Sequence, residues 1–203
     1  MIDEVIFDIE TQKLFNEIGS YDPADLGVSI VSVYVRQVDA NQREITGAMH
    51  SFWEQELPAM WELFKNAKRI IGFNSLKFDV PALKRVAPAE FSRLPHFDIM
   101  DHVRASLGHN LALDTLARYT LGKAKSDVGT NAVLYWKSQN PAQLQKLKDY
   151  CEMDVLITRD LYDFGVQNKH LNYIDKWNSE KSFAVDFSYP ASVLDASKQI
   201  GLF

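Results

Sequence analysis

The chain is 203 residues long, 46% apolar and 24% charged, which fits a soluble globular domain able to bury a sizeable core. Its single cysteine, Cys151, excludes an internal disulfide framework, no Cys/His grouping suggests zinc, and no apolar run approaches the ~18 residues of a membrane span, so the chain reads as cytoplasmic. A net charge of −5 argues against nucleic-acid binding by bulk charge alone, although residues 61–125 carry 11 basic and 6 acidic side chains between two acidic flanks.

The first informative stretch is Val5-Ile6-Phe7-Asp8-Ile9-Glu10, a short apolar run rich in β-branched residues that predicts a buried strand. Side chains alternate along a strand, so Asp8 and Glu10 share one face while Phe7 and Ile9 face the other layer. Two readings fit this pair. Either the acids are a solvated strand end, or they hold a hard divalent cation such as Mg²⁺ or Mn²⁺, because bare carboxylates a pleat apart repel and resist burial. Residues 11–25, with Gly19 and Pro23, predict a surface loop in which Leu14 and Phe15 are core or an apolar shelf beside the acids. Residues 27–38 and 44–53 predict two further strands around a turn at 39–42, an antiparallel meander with the first.

Helical spacing of Leu57, Met60, Trp61 and Phe64 predicts a helix over 54–66, and residues 68–73 predict a buried strand. The strand runs into Asn74-Ser75-Leu76-Lys77-Phe78-Asp79, where Asp79 is read as the cap of a helix with Pro81 in its first turn, or as an acid presented at a strand-to-helix junction. A short strand at 95–99 and helices at 99–107, 111–121 and 128–139 follow. Asp98, Asp101 and Asp114 read as caps or helix partners, and His96, His102 and His109 as structural or surface residues. Asn140-Pro141 marks the start of a strong helix on which Tyr150 and Asp154, four residues apart, share one face. A terminal hairpin is predicted from strands at 171–174 and 183–189.

The ordered set of D-x-E on a first strand, N-x-x-x-F-D at a strand-to-helix junction and Y-x-x-x-D on a late helix resembles the DEDD (DnaQ-like) 3′-to-5′ exonucleases of the ribonuclease H-like superfamily. The subgroup it resembles carries Tyr in the last motif, and within it the chain is most similar to YprB-type ribonuclease H-like domains. Asp149 stands where the His-type subgroup has histidine, and Gln12-Lys13 replaces the Thr-Gly that often follows the first motif.

The resemblance implies an α/β fold with a central mixed sheet, three antiparallel N-terminal strands plus parallel ones, flanked by helices. It spans residues 1–168, with 169–203 as a hairpin and tail of the same domain. It also implies Asp8, Glu10, Asp79 and Asp154 as ligands of two Mg²⁺ or Mn²⁺ ions, Tyr150 as a further catalytic residue, and single-stranded DNA or RNA 3′ ends as substrate. Thr11, Leu14, Phe15, Asn74, Lys77, Phe78, Arg118, Lys123 and Lys125 are the candidate substrate contacts. A non-catalytic nucleic-acid-binding or partner-recruiting domain and a structure-selective endonuclease are the competing readings. A helicase or polymerase partner is left open.

Overall fold

The computed structural model describes residues 1–123, 129–190 and 193. Three long strands open the chain: β1 (Ile2–Thr11), β2 (Val28–Val38) and β3 (Glu44–Trp53). They pair antiparallel as the alternation predicts, and β4 (Arg69–Gly72) and β5 (His96–Asp98) add in parallel on the other side, giving the order β3-β2-β1-β4-β5. The parallel steps need crossovers. The first carries a helical turn, α1 (Leu57–Met60), and the second a short helix, α2 (Asp79–Leu83).

Alternation along β1 decides everything downstream. Val5, Phe7 and Ile9 pack with Leu57, Met60, Phe64, Leu83 and Phe91 on one face of the sheet. Ile6 packs with Val155, Leu161 and the α3–α4 region on the other, so Asp8 and Glu10 face that second layer. That layer consists of α3 (Ile99–Leu107), α4 (Leu113–Leu116, widening into a π-helical turn over Ala117–Leu121), α5 (Gly129–Ser138) and α6 (Pro141–Asn168). The Asn140 carboxamide accepts the Ala142 N–H at 2.9 Å and caps α6 with Pro141 in its first turn, as read from sequence. At 28 residues, α6 spans about 42 Å and crosses the whole sheet.

At the far end of β1 from its acids lies a buried charge network. Glu4 is fully buried and accepts Arg36 Nε at 2.8 Å and the Tyr189 hydroxyl at 2.7 Å. Arg36 forks onto Asp163 of α6 at 2.8 and 2.6 Å. Arg69 donates to the Tyr162 hydroxyl and the Phe187 carbonyl, each at 2.7 Å, and to the Ser188 carbonyl at 3.0 Å. These bonds pin residues 185–189 to the sheet.

Three sequence expectations change. The helix expected over 54–66 is a series of short turns, Glu54–Glu56, α1 and Trp61–Leu63, although Leu57, Met60 and Phe64 are buried as its stripe requires. The helix expected over 111–121 begins at Leu113 and loosens into the π-helical turn. The terminal hairpin pairs β6 (His170–Ile174) with β7 (Glu180–Ala184), not with 183–189. Alternate residues Val185, Phe187 and Tyr189 are indeed buried, but the carbonyls of Phe187 and Ser188 serve Arg69 and the Val185 N–H bonds to the Lys169 carbonyl instead of a ladder.

Gly165 of α6 has no side chain where the Phe187 ring lies, and a Cβ there would overlap the ring. Helix propensity favours alanine over glycine by about 1 kcal/mol. Phe187, however, is fully buried and stacked on Tyr162 at 5.8 Å, so it cannot yield. Overpacking costs about 1–3 kcal/mol and dominates. Gly165→Ala is expected to lower the urea midpoint with little change in slope.

Candidate active site

Asp8 and Glu10 sit two residues apart on β1, opposite Ser32 and Ile30 of β2, with a register shift between Glu10 and Thr11 that ends the regular ladder. Burial of Leu147, Cys151 and Val155 turns one face of α6 toward the sheet, and Asp154 lies on that face, 5% exposed. The result is that Asp8, Glu10 and Asp154 each offer a carboxylate oxygen within 4.8 Å of the others. Three hard oxygen donors this close, contributed by a strand and a helix far apart in sequence, fit a divalent cation such as Mg²⁺ or Mn²⁺.

Asp79 is not one of that trio, but it lies beside it. Its buried carboxyl accepts the N–H of Ile9, the residue between Asp8 and Glu10. Burial, then repulsion from Asp98 and Asp154, pushes it up to about 7. Of the two readings of Asp79, the helix cap gives way: it is the first helical residue, and Phe78 precedes it at the cap.

The capping role in this loop belongs to Asp98. Its carboxylate accepts the N–H of Asn74 at 2.7 Å, of Leu76 at 3.0 Å and of Met100 at 2.9 Å, so one buried acid caps α3 and fixes the loop that presents Asp79. Asn74 itself adopts φ of 62°, a left-handed conformation that asparagine tolerates better than most residues.

Tyr150 lies one turn before Asp154 and hydrogen-bonds to it. Burial, then the negative charges of Asp154, Glu10 and Asp8, drives the phenol far above its ordinary range, so it keeps its proton. Cys151 also reaches the site. Its buried thiol lies 3.5 Å from the Asp8 carbonyl oxygen and 3.8 Å from Asp8 Oδ2, and burial followed by the charges of Asp8 and Glu10 keeps it a thiol, able to donate. No motif marks that role in the sequence. Beneath the site, Ser32 and Ser51 hydroxyls meet at 3.0 Å and Ser51 donates to Glu152 at 2.6 Å, tying β2, β3 and α6 together.

The predicted substrate contacts divide. Phe15, 39% exposed, meets Phe78 edge-on at 6.2 Å next to Asp79, while Leu14 is half-buried and Lys77 exposed. Thr11 is buried and spends its hydroxyl on the Lys13 carbonyl at 3.0 Å. The Asn74 carboxamide accepts from Arg104. Arg118 pairs with Asp114 on its own helical segment at 3.3 Å, and Lys123 pairs with Asp160. Lys125 lies outside the described residues.

A meander continued by parallel strands, with acids of β1 and a late helix meeting on one face, defines a ribonuclease H-like α/β protein. The family model RNase_H_2, described as RNase_H superfamily, matches residues 5–165, and the chain belongs to that family. Among solved structures it is similar to the zinc-bound form of an E. coli ExoI–ssDNA complex, with a TM-score of 0.48 and 14% identity. That match covers 83% of this chain and 41% of the other, so the chain spans about two fifths of that structure's length. No curated protein matches. Among the described residues, no helix is long and apolar enough to cross a membrane.

Proposed function

We propose that the protein is a metal-dependent nuclease that releases nucleotides from the 3′ end of single-stranded DNA or RNA, in the manner of the DEDD exonucleases with tyrosine in the last motif. The observation that supports this reading most is the convergence of Asp8, Glu10 and Asp154 within 4.8 Å, in a chain of the RNase_H superfamily. Those three residues, with Asp79 alongside, would hold two divalent ions. When bound, such ions supply Lewis-acid polarisation of the phosphate and neutralise the charge that develops on it.

The side chains have separable tasks. Asp8 and Glu10 are fixed by the strand, and Asp154 by a helix packed against that strand, so the donors are preorganised on rigid elements. Tyr150, protonated throughout the neutral range, cannot be the general base. Its proton is given to Asp154, so its oxygen accepts a hydrogen bond from the attacking water and orients it. The Phe15–Phe78 pair offers an apolar shelf on which the terminal base rests.

Tyr150→Phe is therefore expected to retain activity, reduced by roughly 10- to 100-fold, as for loss of one positioning hydrogen bond worth about 1.5–3 kcal/mol. Complete loss in single-turnover assays would instead make the hydroxyl indispensable. The defining experiment follows 5′-labelled and 3′-labelled DNA and RNA oligomers with Mg²⁺, Mn²⁺ or EDTA. A one-nucleotide ladder from the 3′ end, abolished by EDTA, supports the reading. Cutting of circular single strands would make the protein an endonuclease instead.

A further inference from the structure

The tip of the β6–β7 hairpin carries a feature that neither the acid cluster nor the core explains. Trp177, the largest side chain there, is 74% exposed. It is held out, not left loose. The Asp175 carboxylate accepts the N–H of Trp177 at 2.9 Å and of Ser179 at 3.0 Å, and the Asp175 N–H donates to the Ser179 carbonyl at 2.9 Å, closing a tight turn. Lys176 places its ammonium 4.4 Å from the centre of the indole ring, and exposed Lys181 lies on the same side of a cleft of about 590 Å³.

The opposite wall of the cleft includes Asn110, in the turn between α3 and α4. Asn110 accepts Arg104 Nε at 2.7 Å, and the other end of the Arg104 guanidinium donates to the Asn74 carboxamide. Asn74 opens the loop that ends at Asp79. Hydrogen-bonded side chains thus join the cleft to the loop that presents Asp79.

We propose that this cleft is a second binding site for single-stranded nucleic acid, in which a base stacks on Trp177 and its phosphates meet Lys176 and Lys181. The identity of the ligand rests on the nuclease reading above; the site itself rests on the geometry of the hairpin. Asp175 is the cleft's own acid; its carboxylate accepts two N–H groups of the turn and lies in the field of Lys176 and Lys181, so two ammonium groups stand against one carboxylate and the cleft keeps a net positive charge. An exposed ring with a cation over it and a second cation nearby suits a base with its phosphate, and stacking is indifferent to sequence. A cleft of this volume falls within the about 300–1,000 Å³ of ordinary ligand sites. The strand whose end reaches the acids would be gripped again at the hairpin, and long strands would be preferred over dinucleotides.

The test uses the full chain in EDTA, titrated into fluorescein-labelled oligothymidylate, oligouridylate and the corresponding dinucleotides, following fluorescence anisotropy. Long oligomers are expected to bind and raise the anisotropy. Trp177→Ala and the double variant Lys176→Glu/Lys181→Glu are expected to weaken long-oligomer binding about ten-fold or more. Trp177→Phe should restore most of it, and thermal midpoints should not move. With Mg²⁺, the preference for long strands over dinucleotides should fall by a similar factor. Unchanged long-oligomer affinity in both Trp177→Ala and the lysine variant overturns the proposal, as does an equal loss for dinucleotides. Length-dependent binding that needs Trp177, in a protein that hydrolyses nothing with either metal, would sustain the cleft and end the nuclease reading.

Discussion

Replacing Asp8 or Asp154 with alanine is expected to slow nucleotide release by at least about 10³-fold, or about 4 kcal/mol of transition-state stabilisation. Each contributes one of the three carboxylate oxygens that meet within 4.8 Å among the described residues, and removing one leaves a donor set too poor to fix a hard cation against water. On the nuclease reading the loss should appear in the chemical step and not only in substrate affinity, because the ions these acids would hold act on the reacting phosphate. A parallel measurement separates lost chemistry from lost folding. A metal present at about 100 times its dissociation constant stabilises the fold by about 2.7 kcal/mol. Mg²⁺ should raise the melting temperature of the wild-type protein and leave that of either variant where EDTA leaves it. Wild-type turnover by Asp154→Ala would remove that residue from the site.

The contrast with Tyr150 is instructive, because both residues lie on one face of α6 and both feel the same negative field. The field acts oppositely on their uses. For Asp154 the crowd of carboxylates makes a cation welcome, whereas for Tyr150 it disfavours a further anion, so the phenol keeps its proton. A residue that only aims water contributes less than one that holds the charge, hence the different expected losses.

Much of this arrangement was legible in the sequence because it depends on period alone. The alternation of Phe7, Asp8, Ile9 and Glu10 assigned faces correctly, β3 and α3 begin and end at the predicted residues, and Asn140-Pro141 starts α6 where a cap and a first-turn proline should. What escaped depends on partners distant in sequence. Glu4 precedes the predicted first strand and Arg36 lies in the second, yet they stand opposite each other in the β1–β2 register, and both are buried. Opposite charges at facing positions of two apolar strands were the available signal. Asp98 reads locally as a helix cap, but nothing local marks it as the acceptor for Asn74 and Leu76, more than twenty residues earlier. The stripe at Leu57, Met60 and Phe64 foretold burial but not the type of turn, since ring packing of Phe64 and Trp61 on Phe91 sets the local path.

Asp79 gives the other large effect, and its sign is fixed by burial. In the metal-free protein its carboxyl titrates near 7 instead of 3.8, so between those values the native state holds a proton that the unfolded chain has released. Stability must then fall as pH rises from about 4 to about 7, by on the order of 4 kcal/mol, and level off outside that window. Asp98 is shifted in the same direction by its own burial, so Asp79→Asn should remove most of the slope and leave a remnant. A divalent cation reverses the preference, because it binds the carboxylate and not the acid. Saturating Mg²⁺ should flatten the profile, and metal affinity should climb with pH until about 7. Urea unfolding at a series of pH values, in EDTA and in Mg²⁺, measures all of this. Parallel curves for the wild type and Asp79→Asn in EDTA would mean that Asp79 is solvated and ionised in the folded protein, and therefore too far from the trio to share its ions.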